Sequence, residues 1–111
     1  MKNTYKLVDQ ALLTDSSFQD EVEASYDDLL SLFGEPNGEG DNYKVSTMWV
    51  LEDDDKNFLT IYDYKETDLY SRGYPSVQAF RARPSYVWHI GGTRRLPAQR
   101  LKAFILRSKK N

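Results

Sequence analysis

Tyr86-Val87-Trp88-His89-Ile90-Gly91-Gly92 is the stretch of this chain whose reading decides the fold. Alternation puts Tyr86, Trp88 and Ile90 on one face and Val87 and His89 on the other, which predicts a strand over 85–90. Gly91-Gly92 then permits a sharp turn. Pro97 suits the first position of a helix, where its missing N–H has no partner to lose. Ala98, Leu101, Phe104 and Ile105 follow on one helical face. Arg94, Arg95, Arg100, Lys102, Arg107, Lys109 and Lys110 are left around the outside. Cations in the last turn of that helix also complement its dipole.

On the N-terminal side of the strand, 66–84 reads as a long connection broken by Gly73, Pro75 and Pro84. It carries Tyr70, Tyr74 and Phe80 with Arg72, Arg81 and Arg83, residue types suited to interface anchors and to phosphate contact with base stacking. Before it, alternation of Tyr43, Val45, Thr47, Trp49 and Leu51 predicts a strand over 43–52. Asp53-Asp54-Asp55-Lys56-Asn57 reads as a solvated turn, and 58–65 as the returning strand. Phe18, Val22, Tyr26, Leu29, Leu30 and Phe33 form a helical stripe. Asp15, Ser16 or Ser17 would cap its start, Ser16 having capping-box spacing to Gln19, and Gly34 with Pro36 would stop it. Residues 1–14 have no decisive period and are left as an N-terminal arm or an edge strand. The whole predicts one α+β domain over 1–111: helix, three-stranded antiparallel sheet, helix, with both helices on one face.

Charge divides the chain. Residues 1–70 hold all 17 acidic residues against five basic ones, a net of −12, while 71–111 hold ten Arg and Lys and no acid. Such asymmetry points to nucleic acid or a charged protein partner, unless the two halves neutralise each other within the fold. The candidate cationic surface is Arg72, Arg81, Arg83, Arg94, Arg95, Arg100, Lys102 and Arg107. The candidate acidic surface is Glu21, Glu23, Asp27 and Asp28, which would imitate a row of phosphates before a basic groove.

Other chemistries are poorly supplied. The chain has no cysteine and one histidine, His89, so thiolate chemistry and the usual zinc ligand sets are missing. A lone histidine in an aromatic strand is more often packed than catalytic, and no metal or cofactor is expected. No apolar run is long enough to span a bilayer, and the first residues lack a signal-peptide core, so the expected setting is cytoplasmic.

Three resemblances add to this reading. Asp63-Tyr64-Lys65 resembles the D/E-x-K element of the PD-(D/E)-x-K nucleases, which implies a Mg²⁺-holding carboxylate and a lysine at the scissile phosphate. Where that family places its earlier aspartate, this chain reads Ser46-Thr47-Met48-Trp49-Val50. Gly91-Gly92-Thr93-Arg94-Arg95, with Ala98 and a basic helix, resembles the last-helix entry of double-stranded-RNA-binding domains, which implies phosphate contact there. Leu32-Phe33-Gly34-Glu35-Pro36, Tyr43-Lys44-Val45, Trp49, Thr60-Ile61-Tyr62-Asp63-Tyr64-Lys65 and Trp88-His89-Ile90-Gly91-Gly92 look like a family of small uncharacterised proteins from phages and large DNA viruses. That resemblance spans roughly 26–106. It implies a viral origin and a protein that binds host machinery handling nucleic acid. The expected function is therefore a non-enzymatic binding protein, with the acidic inhibitor and the nuclease as alternatives.

Overall fold

The computed structural model describes residues 5–10, 16–38, 45, 47–64, 73 and 75–108. Along the chain run β1 (Lys6–Leu7), β2 (Ser17–Ala24), α1 (Tyr26–Phe33), β3 (Met48–Glu52), β4 (Phe58–Tyr62), α2 (Val77–Arg81), β5 (Tyr86–Gly92) and α3 (Arg95–Ser108). The strands form one antiparallel sheet in the order β1-β3-β4-β5-β2. The α+β class is as the sequence predicts, but among the described residues the sheet has five strands where three are predicted, and there are three helices where two are predicted. The three predicted strands are the central ones.

The largest correction concerns 17–24, which is an edge strand and not the front of a helix. Phe18 and Val22 lie four apart, a spacing that suggests a helical stripe, but a bulge turns Phe18 to the His89 side of the sheet while Val22 faces the core. Here Val22 and Ala24 are buried while Glu21 and Glu23 are exposed, the period of two that a strand requires. The strand pairs with β5 from Ser17↔Gly92 to Ala24↔Tyr86, with a bulge between Phe18 and Asp20. The helix starts one residue later, at its true cap. The Ser25 Oγ accepts from the Asp28 N–H at 2.9 Å, and the Asp28 carboxylate accepts from the Ser25 N–H at 3.0 Å, a reciprocal capping box. Gly34, at φ 86°, ends α1 as expected, its N–H reaching Leu30 O.

Smaller corrections follow the same logic. Part of the 66–84 connection is helical: Ser76 caps the short α2 and Phe80 points from it into the core. Residues 66–72 and 74 of that connection lie outside the described residues, as do Lys65 of the predicted second strand and Tyr43, Lys44 and Ser46 of the predicted first strand. Among the described residues β3 begins at Met48, and Thr47 precedes it. Pro97 is the third residue of α3, still within the first turn where no N–H partner is needed. Strand β5 runs through Gly91 and Gly92, which pair with Thr60 and Leu59 instead of turning. At the far edge β1 is short, and the Asn37 side chain continues its work. Asn37 accepts from Val50 N–H at 2.8 Å and donates to Val8 O at 2.7 Å. Of the open arm or edge strand at 1–14, residues 6–7 are the edge strand.

The core lies on one face of the sheet. Val22, Ala24, Trp49, Leu51, Leu59, Ile61, Trp88 and Ile90 meet Leu29 and Phe33 of α1, Phe80 of α2, and Ala98, Leu101 and Ile105 of α3. All three helices therefore cover the same side. Trp49 and Trp88 stand edge to face, 5.5 Å apart. Each indole N–H donates to the backbone at one end of α1: Trp88 to Ala24 O at 2.9 Å and Trp49 to Gly34 O at 2.7 Å. Tyr5 closes the lower edge against Phe33 and Phe104.

Replacing Ser25 by Ala is expected to cost about 1 kcal/mol in urea unfolding, whereas Ser16→Ala should stay within about 0.5 kcal/mol. Burial, helped by Asp53 and Asp54, raises the Tyr5 phenol from 10.0 to about 12. The folded state then holds this proton more tightly than the unfolded chain. Its stabilising effect is complete below pH 10 and lost as pH rises through about 12. Unfolding midpoints should fall across that window, and less steeply in Tyr5→Phe.

Candidate functional site

The face of the sheet opposite the helices carries a cluster of rings centred on His89. Strand register builds it. Tyr62 of β4 and Glu21 of β2 both lie directly opposite His89, so all three project to the same side. The β2 bulge brings Phe18 alongside, its ring 5.0 Å from the imidazole. Tyr62 meets the imidazole edge to face at 5.4 Å, and Tyr64 stacks on it at 5.7 Å and 22°. Phe18, Tyr62, Tyr64 and His89 line a shallow depression of 340 Å³. Phe18 is 52% exposed and Tyr64 38%. Below them Gly91 leaves room: a Cβ there would lie 2.5 Å from Thr60 Oγ1 and 3.3 Å from Tyr62 Cε1.

Two described carboxylates, Glu21 and Glu23, lie along this side of β2. Glu21 Oε2 lies 3.9 Å from His89 Nε2, and Glu23 accepts from the Ser85 hydroxyl at 3.1 Å. Burial, followed by the neighbouring Tyr64, raises the Tyr62 phenol above 10.0. His89 is thus packed among rings, as a lone histidine in an aromatic strand is expected to be, but at a surface. The predicted acidic row does not form on one helix. Glu21 and Glu23 belong to β2, Asp27 is exposed on α1, and Asp28 is occupied by the capping box.

The predicted cationic surface divides into two groups. Arg81 lies 4.9 Å over the Tyr26 ring and donates to Thr47 Oγ1 at 3.1 Å, while Arg83 lies over Phe80. The second group belongs to α3 and its entry. Arg94 donates to Asn57 Oδ1 at 3.3 Å, Arg100 faces Asp55 at 3.6 Å and Lys102 faces Asp20 at 3.5 Å. Arg95 and Arg107 are exposed, with no ion pair to another described residue. Arg72 lies outside the described residues. The Arg100–Asp55 partners are 52% and 71% exposed, so that pair is screened and contributes little to stability.

Asp63 points inward. It is 0% exposed, its Oδ1 accepts from the Thr47 N–H at 2.7 Å, and its own N–H donates to Thr47 O at 3.2 Å. The carboxylate extends the β3–β4 ladder past its last pair. Lys65, the other half of the Asp63-x-Lys65 pattern, lies outside the described residues. At the hairpin tip Asp53 accepts from the N–H groups of Asp55 and Asn57 and from the Asn57 side chain. That carboxylate builds the turn.

No protein-family model matches the chain, and no curated protein matches it in sequence. No helix among the described residues is long and apolar enough to cross a membrane.

The ring cluster is the feature that sequence reasoning missed. Its one sequence signal is the alternation of Thr60, Tyr62 and Tyr64 on the side opposite Ile61, matched by His89 opposite Ile90. Phe18 had no comparable signal while its segment read as helix. Asp63→Ala should destabilise the protein by about 2 kcal/mol in urea unfolding, because the buried Thr47 N–H loses its acceptor.

Proposed function

We propose that the protein is a non-enzymatic binding protein of viral type, acting in the host cytoplasm. The outer side of α3 contacts the phosphates of nucleic acid, bare or held by a host nucleic-acid-processing protein. One observation carries this reading. Residues 94–108 bear five cations, Arg94, Arg95, Arg100, Lys102 and Arg107, and no carboxylate. Arg94 and Arg95 stand at the positive end of the helix, where a cation is disfavoured by the dipole and an anion is welcome. Arg95 and Arg107 have no ion pair to another described residue, and the exposed partner of Arg100 can be displaced by a phosphate at small cost. Arg81 and Arg83, held over rings on another part of the helix layer, are left out of this surface. The resemblance to phage and large-DNA-virus proteins supports the host setting.

Fluorescence anisotropy with labelled duplex and single-stranded oligonucleotides tests the proposal. Affinity should fall steeply with salt as bound counterions are released. In Arg95→Glu combined with Arg107→Glu, the slope of log affinity against log salt should shrink by about 2. Absence of binding at low salt to every oligonucleotide, or an unchanged slope in the double variant, rejects it.

A further inference from the structure

We propose that the outer side of α3 is a docking seam for a helix of a protein partner, apolar along its centre and acidic along both flanks. The cations are those of the phosphate reading, but the apolar residues between them are used by no part of it. Leu101 and Ile105 turn one side of α3 into the core. On the opposite side Leu96, Gln99, Ala103 and Leu106 follow at spacings of three, four and three, the period of a seam between two helices. All four are exposed, Leu96 by 51% and Leu106 by 45%. Arg95 and Lys102 each precede a seam position on one flank, while Arg100 and Arg107 each follow one on the other. Every flanking position of this short seam is therefore a cation.

The flanks select the occupant. In paired helices such residues meet those of the other helix and decide which partner is accepted. A second copy of this chain would set cation against cation, which opposes self-pairing. A row of phosphates would neutralise the cations and leave both leucines in water. A wholly apolar helix would cover the leucines but strip water from the arginines without replacing it. A helix with Asp or Glu on both flanks satisfies seam and flanks together. Arg95 and Arg107 are exposed, and Arg100 exchanges one exposed carboxylate, that of Asp55, for another at small cost. Lys102 already faces Asp20 at 3.5 Å, so it contributes least. The short side chain of Ala103 admits a larger one from the partner, and Gln99, polar at the seam, favours a single register at some cost in affinity.

The test titrates a labelled peptide of about three heptads, with Leu along its seam and Glu along both flanks, against the full chain. Its counterpart with Lys on the flanks, a scrambled peptide of the same composition, phosphatidylserine vesicles and a labelled oligothymidylate are run beside it. The Glu peptide should bind and gain helix signal in far-UV circular dichroism on mixing, and the Lys peptide should not bind. Leu96→Ser with Leu106→Ser should weaken Glu-peptide binding about tenfold and leave oligothymidylate affinity unchanged. Both leucines are exposed, so the fold should tolerate the change. Arg95→Glu with Arg107→Glu should weaken binding of the peptide and of oligothymidylate alike. Equal binding of the scrambled peptide would show only diffuse attraction and overturn the proposal, as would indifference to the two leucine changes. Vesicle binding, or self-association in sedimentation, that is lost with the leucines while the peptide stays unbound would make a membrane or a second copy the occupant. Either result overturns the proposal. A bound Glu peptide beside unbound oligothymidylate would count for the seam and against the phosphate reading.

Discussion

The contact between Trp49 and Trp88 is the constraint on which the rest of the structure depends. Both indoles are buried, and a buried indole must place its N–H on an acceptor. The acceptors are Ala24 O and Gly34 O, the carbonyls just before and just after α1. Two side chains from the middle of the sheet thereby fix both ends of an eight-residue helix that is too short to be stable alone. The capping box and Gly34 supply the local half of that arrangement, and the tryptophans supply the tertiary half.

Once α1 is fixed on the tryptophan side, α3 covers the remaining apolar surface beneath β2 and β5. Every described helix is then on one side, and the opposite side of β2, β4 and β5 makes a surface of its own. It does so with rings around His89 and with carboxylates on the edge strand. Charges on an edge strand also discourage pairing with another sheet, so Glu21 and Glu23 have a structural use as well as an electrostatic one. The Gly91 site belongs to the same economy, since a side chain there would collide with Thr60.

The division of charge along the chain becomes only a partial division in space. Lys102 meets Asp20 and Arg100 meets Asp55, so the acidic front and basic tail touch along one side of α3. These contacts are made at the surface and not across the core. The two ends of α3, at Arg95 and Arg107, keep their charge available to the solvent.

The class, the central hairpin, the last strand and the last helix were legible in the sequence, because each follows from local rules. Alternation gives β3, β4 and β5, while a helical stripe between Gly92 and Ser108 gives α3. The stop at Gly34 was legible for the same reason. The edge strand at 17–24 was not, because Phe18 and Val22 imitate a helical stripe, and only pairing with β5 and its bulge sets them on opposite faces. The bonds of Asp63 to Thr47 are likewise not contained in its local D-x-K pattern, and appear only once its strand is placed beside Thr47. The ring cluster draws Phe18, Tyr62, Tyr64 and His89 from separate segments. Their types are fixed by the sequence, but their meeting is fixed by strand register, a long-range property that no local pattern contains.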